Sequence, residues 1–520
     1  MPLADHPGRR LLAAADALAN RLYGSSRNPL YQSGTIAVAL LLVLLATGLW
    51  LVLFYRVGAP WASVRGITSD PWIGRWVRGL HRYASDAALV ATLVHATRIV
   101  VQRRTWGPRV LAWVTGLVLL VLLLACGVTG FVLVWDEFGR ALAVEGARIL
   151  DALPILSEPV SRTFVGERPV PGTFFFLTLF LHIAVPLGMG AALWLHVSRL
   201  ARPLLLPPKP LAWGVVGLLT LAALAAPLPM EPEGTAFALP GRVTLDWFYG
   251  GWLPLTGRFA PGSVWLVGLV ATALLLRVPR WTRPREGTRP PSVVDEAICV
   301  GCWQCSWDCP YDAITMVPRA DGRAEVVARV DPDRCVSCGI CAGSCAPMGV
   351  GPPGRNGRDQ VERVRAYLTD PARRPGEIVA VACEYGAGAL ASLLRAEGAT
   401  VYPVDCAGNL HTSVVELLVR GGAAGVLVLP CPARDCRNRE GARWLAARID
   451  GGREAELQAR VDRRRVAVVA AAADEAGAVA AAVRRFRASL EQLRGSAPGA
   501  AAELDLTCER PPLPAPKARR

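Results

Sequence analysis

Eight cysteines in two short runs carry the strongest chemical signal in this sequence. The first run is Cys299, Cys302, Cys305 and Cys309, and the second repeats the spacing as Cys335, Cys338, Cys341 and Cys345. Three thiolates at three-residue steps wrap one face of a cubane iron–sulfur cluster, and a more remote thiolate completes the ligation. Zinc sites use pairs of Cys-x2-Cys, and disulfide frameworks belong to small secreted chains, so neither alternative fits two runs of four.

A proline follows each run, Pro310 directly after the first and Pro347 two residues after the second. With this spacing, the segment resembles the bacterial ferredoxins that bind two 4Fe–4S clusters. In that family the fourth thiolate of each cluster comes from the other run. The resemblance therefore implies one 4Fe–4S cluster on Cys299, Cys302, Cys305 and Cys345, and a second on Cys335, Cys338, Cys341 and Cys309.

Four of the six histidines form two pairs with equal spacing, His81 with His95 and His182 with His196. Fourteen residues separate the members of each pair, which places them on one helix face about 21 Å apart along the axis. Ionisable side chains inside long apolar segments are functional by default. Two antiparallel helices with such pairs predict two haem sites, His81 with His182 on the outer side and His95 with His196 on the inner side. Imidazole on both faces of the iron favours electron transfer, because no axial position stays open.

Glycines repeat the same rhythm in the neighbouring apolar segments. Gly34 and Gly48 are fourteen residues apart, as are Gly116 and Gly130. A missing Cβ lets a flat macrocycle lie against a helix, although glycine also serves close packing of membrane helices. Arg82 and Arg98 stand beside the histidines and are candidates to pair haem propionates, with membrane-interface anchoring as the alternative. The sequence has no Cys-x-x-Cys-His, so no c-type haem is expected, and the mid-span Cys126 is predicted to be a small core residue.

Residues 30–200 resemble the haem-binding half of cytochrome b from quinol–cytochrome c oxidoreductases and their photosynthetic relatives. The matching strings are GLHRYASDAALVATLVHATR, WVTG, GVTGFVLVWDEFG and LHIAVPLGMGAALWLH. The resemblance implies two b haems of different potential, with a quinone site near each.

Two departures from that family concern its quinol site. Its Leu-Pro-Trp string becomes Leu133-Val134-Trp135, and its Pro-Glu-Trp-Tyr signature survives only as Leu245-Asp246-Trp247-Phe248. If the second string is a relic of the quinol pocket, Asp246 is the acid that accepts a proton there. A polar loop with interfacial aromatics is the alternative, and both stay open.

Six apolar segments are long enough to span a bilayer, near 33–55, 79–101, 109–135, 173–198, 211–229 and 263–279. An even number of spans puts both termini on one side. Lys and Arg concentrate in the segments on that side, which predicts a multi-pass inner-membrane protein with cytoplasmic termini and iron–sulfur domains. The net charge of +15 reflects these loops, and no basic stripe with interleaved aromatics suggests nucleic-acid binding. Ahead of the spans, residues 8–24 predict either an interfacial helix at the anionic leaflet or an ordinary soluble helix.

After the second cysteine run the pattern changes to alternating strands and helices. Strands are predicted near 377–383, 400–406, 425–431 and 465–472, with helices near 387–397, 411–421 and up to 494. This alternation predicts a doubly wound parallel sheet, whose ligands bind beyond the carboxyl ends of the strands. Three cysteines lie at those ends and a fourth follows in a loop; these are Cys383, Cys406, Cys431 and Cys436.

The strings IVAVAC, DCAGNL and LVLPCPARDC resemble the iron–sulfur (delta) subunit of methyl-viologen-reducing hydrogenases. That resemblance implies a 2Fe–2S cluster on the four cysteines and electron exchange with a heterodisulfide-reductase-like flavoprotein. Gly386 occupies the place of the family's usual second cysteine, so another metal or no cluster remain alternatives. His411 is predicted to begin a helix, with a ligand or proton-carrier role as the alternative.

These patterns predict a multi-domain fold: an all-α transmembrane haem bundle of about six helices, a ferredoxin-type α+β domain and an α/β parallel-sheet domain. We predict these boundaries: 1–29, interfacial segment; 30–205, haem domain; 206–282, two further transmembrane helices; 283–296, linker; 297–350, ferredoxin domain; 351–376, linker; 377–494, hydrogenase-delta-like domain; 495–520, disordered tail.

Every strong motif holds an electron carrier, and none resembles a substrate pocket with an acid, base or nucleophile. The main hypothesis is a membrane-anchored electron-transfer subunit between the quinone pool and a cytoplasmic redox enzyme, with electrons flowing to quinone. The resemblances suggest a heterodisulfide-reductase-like flavoprotein, a hydrogenase or a formate-type dehydrogenase as that enzyme, and a possible homodimer. The alternatives are a quinol-oxidising enzyme module that drives electrons to a low-potential acceptor, and a redox-sensing membrane scaffold.

Overall fold

The computed structural model describes residues 7–153, 158–164, 169–235, 246–283, 289–319, 321–323 and 325–495. They form two compact units. Residues 32–198 and 203–283 make the first, and the second combines the N-terminal segment, residues 199–202 and the chain after the last apolar helix. The predicted tail, Cys508, Leu245 and part of the 283–296 linker lie outside the described residues.

Apolar helices build the first unit. Four of them carry the predicted haem residues: α2 (Ser33–Phe54), α4 (Gly74–Val101), α5 (Val110–Val134) and α7 (Gly172–Val197). Helix α2 packs along α4, and α5 packs along α7, so each histidine helix has a glycine helix beside it. Small side chains at the core, such as Ala84 and Ala88, are fully buried and let the helices approach closely.

Five helices in the described part of the chain have the length and composition to cross a bilayer, α2, α4, α5 with its preceding turn, α7 and α10 (Pro261–Trp281). The prediction of several apolar membrane-length helices is confirmed. The predicted fifth span is a shorter helix, α8 (Lys209–Ala225). Its 17 residues extend about 25 Å, less than a hydrocarbon core of about 30 Å. Prolines just beyond Ala225 limit its length, because proline cannot continue a helix.

Three helices in this unit were absent from the sequence prediction: α3 (Pro60–Ser69), α6 (Glu137–Asp151) and the short α9 (Leu253–Thr256). Only Trp135 and Asp136 separate α5 from α6, and the backbone of Trp135 is left-handed (φ 57°). The Asp136 side chain then caps α6 by accepting a hydrogen bond from the Gly139 N–H. The chain therefore turns sharply after the third apolar helix and does not leave the unit.

The two cysteine runs lie in a small α+β part of the second unit. Its strands are β1 (Val293–Val294), β2 (Ile314–Pro318), β3 (Val326–Val330) and β4 (Val350–Gly351), paired antiparallel as β1 with β4 and β2 with β3. Short helices α11 (Gln304–Asp308) and α12 (Ile340–Ser344) carry the middle of each cysteine run. A further helix, α13 (Gly357–Leu368), follows within the stretch predicted to be a linker.

The C-terminal part is a four-stranded parallel sheet with the order β6-β5-β7-β8, as the strand–helix alternation predicted. The strands are β5 (Ile378–Cys383), β6 (Ala399–Val404), β7 (Gly425–Leu429) and β8 (Val466–Val468). Helices α14 (Ala391–Ala396), α15 (Thr412–Arg420), α16 (Gly441–Ile449) and α17 (Ala476–Gly495) cover it. Strand β5 pairs with β6 on one side and β7 on the other, so the strand order reverses there and opens a crevice at the carboxyl ends.

Helix α1 (Pro7–Tyr23) belongs to the second unit. Its Asn20 amide donates to the Asp474 carboxylate (3.2 Å) beside the C-terminal sheet. Leu11, Leu18 and Leu22 on its apolar stripe are all more than half exposed. The choice between an interfacial and a soluble helix stays a prediction.

Candidate metal centres

The four predicted histidines meet as two pairs inside the helical unit. The ring centroids of His81 and His182 are 6.4 Å apart, and those of His95 and His196 are 6.5 Å apart. Two imidazoles that bond one metal from opposite sides at about 2 Å have centroids roughly 6 Å apart. The pairs therefore have the spacing that two axial ligands of one iron require, with the partners that antiparallel helices predict.

Each predicted glycine lies directly against one of these rings. A Cβ at Gly34 would be 2.9 Å from His95 Cε1, and one at Gly130 would be 3.0 Å from His182 Cε1. Gly48 and Gly116 stand nearly as close to the rings of His81 and His196, at 3.2 Å in each case. In this structure the glycines thus make room for the imidazole edge, and space for a macrocycle beyond it stays a prediction.

A hydroxyl residue precedes every one of the four glycines, a signal that the sequence analysis missed. Thr47 Oγ1 is 2.8 Å from His81 Nδ1, and Thr115 and Thr129 Oγ1 are each 3.1 Å from Nδ1 of His196 and His182. Ser33 holds the fourth position, before Gly34, and is buried. A partner on Nδ1 fixes the ring and turns Nε2 towards the metal. The dipeptide Ser/Thr-Gly at fourteen-residue spacing would have identified these residues.

Cys126 contributes to the same arrangement through its backbone. Its carbonyl oxygen is 3.0 Å from His182 Nδ1, while its thiol lies farther away at 3.6 Å. The carbonyl is therefore the nearer acceptor for a ring N–H.

Arg82 forms ion pairs with Asp86 and Asp246, and its guanidinium lies over the ring of Phe131. The other oxygen of Asp246 accepts hydrogen bonds from the Phe248 N–H (3.0 Å) and the Tyr249 N–H (2.7 Å). In this structure both carboxylate oxygens are thus engaged. The roles of Arg82 with a propionate and of Asp246 as a quinol-site acid stay predictions.

Arg98 is almost fully buried one turn after His95 in α4. A buried guanidinium requires counter-charge or several acceptors. Its predicted pairing with a propionate is consistent with that position and stays a prediction.

The eight cysteines of the two runs line two separate cavities. One cavity is bounded by Cys299, Cys302, Cys305 and Cys345. The second cavity is bounded by Cys309, Cys335, Cys338 and Cys341. Each cavity thus combines three thiols of one run with the last thiol of the other, which is the arrangement implied by the resemblance. We call them cavity I and cavity II.

These thiols are buried side by side, which disfavours their ionisation without a cation. Burial, followed by the charges of Cys341 and Cys345, raises the pKa of Cys305 well above its ordinary range. Burial raises the pKa of Cys341 to about 12, although a hydrogen bond from Ser292 opposes the shift. Iron binding supplies the positive charge that converts such thiols to thiolates. The donor set and the burial fit iron–sulfur ligation.

The four C-terminal cysteines converge in the crevice of the parallel sheet and are all buried. Cys383 ends β5, and its sulfur is 3.2 Å from that of Cys431. The hydrogen bond with Cys383 raises the pKa of Cys406 to about 11, with burial adding to it and a hydrogen bond with Cys436 opposing it. The thiols therefore form a chain of contacts, Cys431 to Cys383 to Cys406 to Cys436. We call this group the third site.

Two glycines lie directly against the thiols of the third site, where a side chain would contact a sulfur atom. A Cβ at Gly386 would be 3.1 Å from Cys431 Sγ, so the missing family cysteine would have entered the same site. A Cβ at Gly441 would be 3.0 Å from Cys406 Sγ. Four converging thiols are a donor set that iron–sulfur clusters use. The 2Fe–2S assignment, another metal and an empty site all stay open here.

Cavity II and the third site are neighbours within the second unit. Burial first, and then the charges of Cys309, Cys341 and Cys406, raise the pKa of Cys338 well above its ordinary value. The Asn409 amide, three residues after Cys406, donates to the Gly339 carbonyl at 2.9 Å. His411 caps α15, as predicted, and its Nε2 is 3.2 Å from the Cys345 carbonyl. The cysteine-run part and the parallel sheet therefore share a polar interface at these ligands.

Residues 199–202, which follow α7, are seated on the backbone beside Cys309. The Ala201 N–H donates to the Pro310 carbonyl (3.1 Å), and Arg202 Nη1 donates to the Trp307 carbonyl (2.8 Å). Arg202 also forms an ion pair with Glu440 at the start of α16. This segment thus binds both the cavity II ligand loop and the C-terminal domain.

Three family models match consecutive parts of the chain. The model for cytochrome b/b6/petB matches residues 19–202, the model for the 4Fe-4S dicluster domain matches 298–349, and the model for the methyl-viologen-reducing hydrogenase delta subunit matches 378–494. The prediction of a three-part fusion is confirmed. These matches imply haem in the helical unit and iron–sulfur clusters in the second unit.

One solved structure similar to this chain is titled "Hyperthermophilic respiratory Complex III". The match has 17% sequence identity and a TM-score of 0.39, and it covers 48% of this chain and 75% of the other.

Proposed function

We propose that this membrane electron-transfer protein links the quinone pool to a cytoplasmic redox enzyme. His81, His182, His95 and His196 hold two b haems, and the eight cysteines of the two runs hold two 4Fe–4S clusters. The third site holds a 2Fe–2S cluster. When bound, each haem and each cluster accepts and donates one electron at a time. No activity on a substrate other than quinone is required of this chain.

The observation that carries the proposal is the set of hydrogen bonds between residues 199–202 and the backbone beside Cys309. Arg202 stands six positions after His196, a predicted ligand of the inner haem, and donates to a carbonyl two residues before Cys309. Cys309 lines cavity II, and Cys338 of the same cavity interacts electrostatically with Cys406 of the third site. Residues 199–202, which follow α7 in the chain, therefore contact the residues around cavity II.

We therefore place cavity II between the inner haem site and the third site in the proposed electron path. The Cys309 carbonyl accepts a hydrogen bond from Arg202, and the Gly339 carbonyl, next to Cys338, accepts one from Asn409 of the third-site loop. Cavity I, in contrast, is lined partly by the exposed side chains Val300 and Trp303. The order of carriers along the chain therefore need not be the order of electron transfer.

The direction that we propose is from the cytoplasm to quinone. The excess of Lys and Arg in the segments that flank the termini favours a cytoplasmic second unit. Moving an electron inwards, from the outer to the inner haem, against an inside-negative potential costs about 2.3 kcal/mol per 100 mV. Reduction of quinone near the inner pair, His95 and His196, avoids that cost. Because the first unit contains several helices of membrane-spanning length, we propose that the protein lies in the lipid bilayer of an inner membrane.

The cytoplasmic partner is proposed to dock on the C-terminal domain. The match to a hydrogenase delta subunit favours a flavoprotein, hydrogenase or formate-type dehydrogenase that exchanges electrons with the third site. Identification by co-purification from detergent would name it.

The direct test is reduction of a quinone in liposomes. The purified protein is reconstituted with a lipophilic quinone, and a reduced low-potential viologen is added outside. We expect quinol to form at a rate that depends on the protein, because chains inserted with the second unit outside the liposome give the dye access to the iron–sulfur sites. Liposomes without protein provide the control. Reduced clusters without quinol formation would contradict the proposed function and favour a redox-sensing scaffold.

A further inference from the structure

We propose that Arg448 sets the reduction potentials of the clusters in cavity II and the third site, by placing a buried positive charge between them. This inference rests on the proposed function only in so far as both sites hold iron–sulfur clusters. It adds a residue outside every cysteine motif to the electron-transfer path.

Arg448 is fully buried in α16, between the two sets of ligands. Its Nη1 donates to Ser344 Oγ (3.2 Å) in α12, the helix that carries Cys341. Its Nη2 donates to the Gly408 carbonyl (2.8 Å), two residues after Cys406. The guanidinium therefore bridges the cysteine-run part and the parallel-sheet part at their ligand loops.

Two glycines, Gly343 and Gly408, leave the space that the Arg448 guanidinium and its neighbouring backbone occupy. A Cβ at Gly343 would overlap Arg448 Nη1, and a Cβ at Gly408 would overlap the Gly441 backbone. Glycine at positions 343 and 408 thus permits the close approach of α12, the Cys406 loop and α16. A larger residue at position 343 would displace the charge.

A buried charge of this kind is costly unless counter-charge is nearby. The hydrogen bonds of Arg448 reach only carbonyl oxygens and one hydroxyl, and its Nε lacks a partner among the described residues. The carboxylate of Asp308, whose charge acts on Arg448, accepts a hydrogen bond from Ser344 and forms its own ion pair with Arg453. Thiolate-ligated clusters on either side would supply the missing negative charge.

The charge of Arg448 persists at neutral pH. Burial lowers the pKa of Arg448 to about 10, while Asp308 and Cys406 oppose the shift. A cluster gains one negative charge on reduction, so a fixed cation beside it stabilises the reduced state. Arg448 is accordingly a positioning and tuning residue, not a ligand.

The test is a mediator titration of the purified full chain, followed by paramagnetic resonance. In Arg448→Met, we expect reduction of one 4Fe–4S signal and of the third-site signal to become about tenfold less favourable, a shift of about −59 mV for one electron. Arg448→Lys keeps the charge and should shift both potentials by less than half as much. Arg460→Met removes an exposed arginine and should leave all potentials unchanged.

Two results would overturn the proposal. One is an Arg448→Met protein with loaded clusters and unchanged potentials, and the other is an equal shift in the Lys and Met variants, which indicates packing alone. If the Met variant does not load its clusters, Gly343→Ala decides, because a Cβ there overlaps Arg448 Nη1 and should displace the charge and lower the same potentials. Unchanged or raised potentials in that variant would reject the proposal. The titration needs neither quinone nor a partner, so its outcome is separate from that of the liposome assay.

Discussion

Replacement of His95 with alanine should remove one of the two haems and leave every iron–sulfur signal in place. The imidazole is one of two rings 6.5 Å apart, and its partner His196 cannot hold a six-coordinate iron alone. Loss of an outer partner of a metal ligand typically costs 10- to 100-fold in metal affinity or activity, so loss of the ligand itself should cost more than about 100-fold in quinone reduction. Haem content per chain and the optical redox titration measure the first effect, and the liposome assay measures the second.

A milder substitution tests the His95–His196 pair by adding a methyl group beside the His95 ring. Gly34→Ala places a Cβ 2.9 Å from the His95 ring, so the ring must move and haem occupancy of that pair should fall. Gly188→Ala in α7 is the matched control, because a Cβ there meets no atom within 4 Å. Retention of both haems in His95→Ala would show that His95 is not a ligand.

Replacement of Cys431 with serine should abolish the third-site signal while both haems and both 4Fe–4S signals remain. Cys431 contacts Cys383 in a group of four buried thiols, and three thiols with one hydroxyl bind iron–sulfur clusters poorly. Iron content should fall by about two atoms per chain. Reduction by the proposed cytoplasmic partner should drop strongly, because its proposed entry site is lost.

The reciprocal variant is Cys302→Ser, which removes one of the four thiols that line cavity I. It should weaken one 4Fe–4S signal and leave the third-site signal intact. A Cys431→Ser protein that keeps its full iron content, or that loses a 4Fe–4S signal with the third, would contradict the assignment of an independent third site.

The sequence predicted the positions at which chemistry depends on fixed spacing. Fourteen-residue spacing on a helix places His81 and His95 on one face whatever surrounds them, and the cysteine steps restrict Cys299 to Cys305 to one lobe of a cluster. Strand–helix alternation likewise predicted a parallel sheet, and the ends of strands β5, β6 and β7 bring their cysteines to one crevice.

Tertiary contacts could not be predicted in this way. Asn409 and Arg448 act through chain segments that lie 70 and 108 residues away, and no local pattern of the sequence marks them. Helix α13 was missed although Val361, Val364 and Leu368 stand at helical spacing among its charged residues. A local signal did exist, since Asn356 and Asp359 form a capping box at its start.

The central claim is that the haem residues and the cysteine sites form one electron path to quinone. Rapid mixing of the anaerobic protein with a low-potential reductant, followed by a quinone analogue, tests it most directly. We predict that cluster reduction is followed by reduction of the b-type haem absorbance, and that the quinone analogue then reoxidises haems and clusters together. Haems that stay oxidised beside reduced clusters, or clusters that the analogue reoxidises without any change at the haems, would contradict the claim.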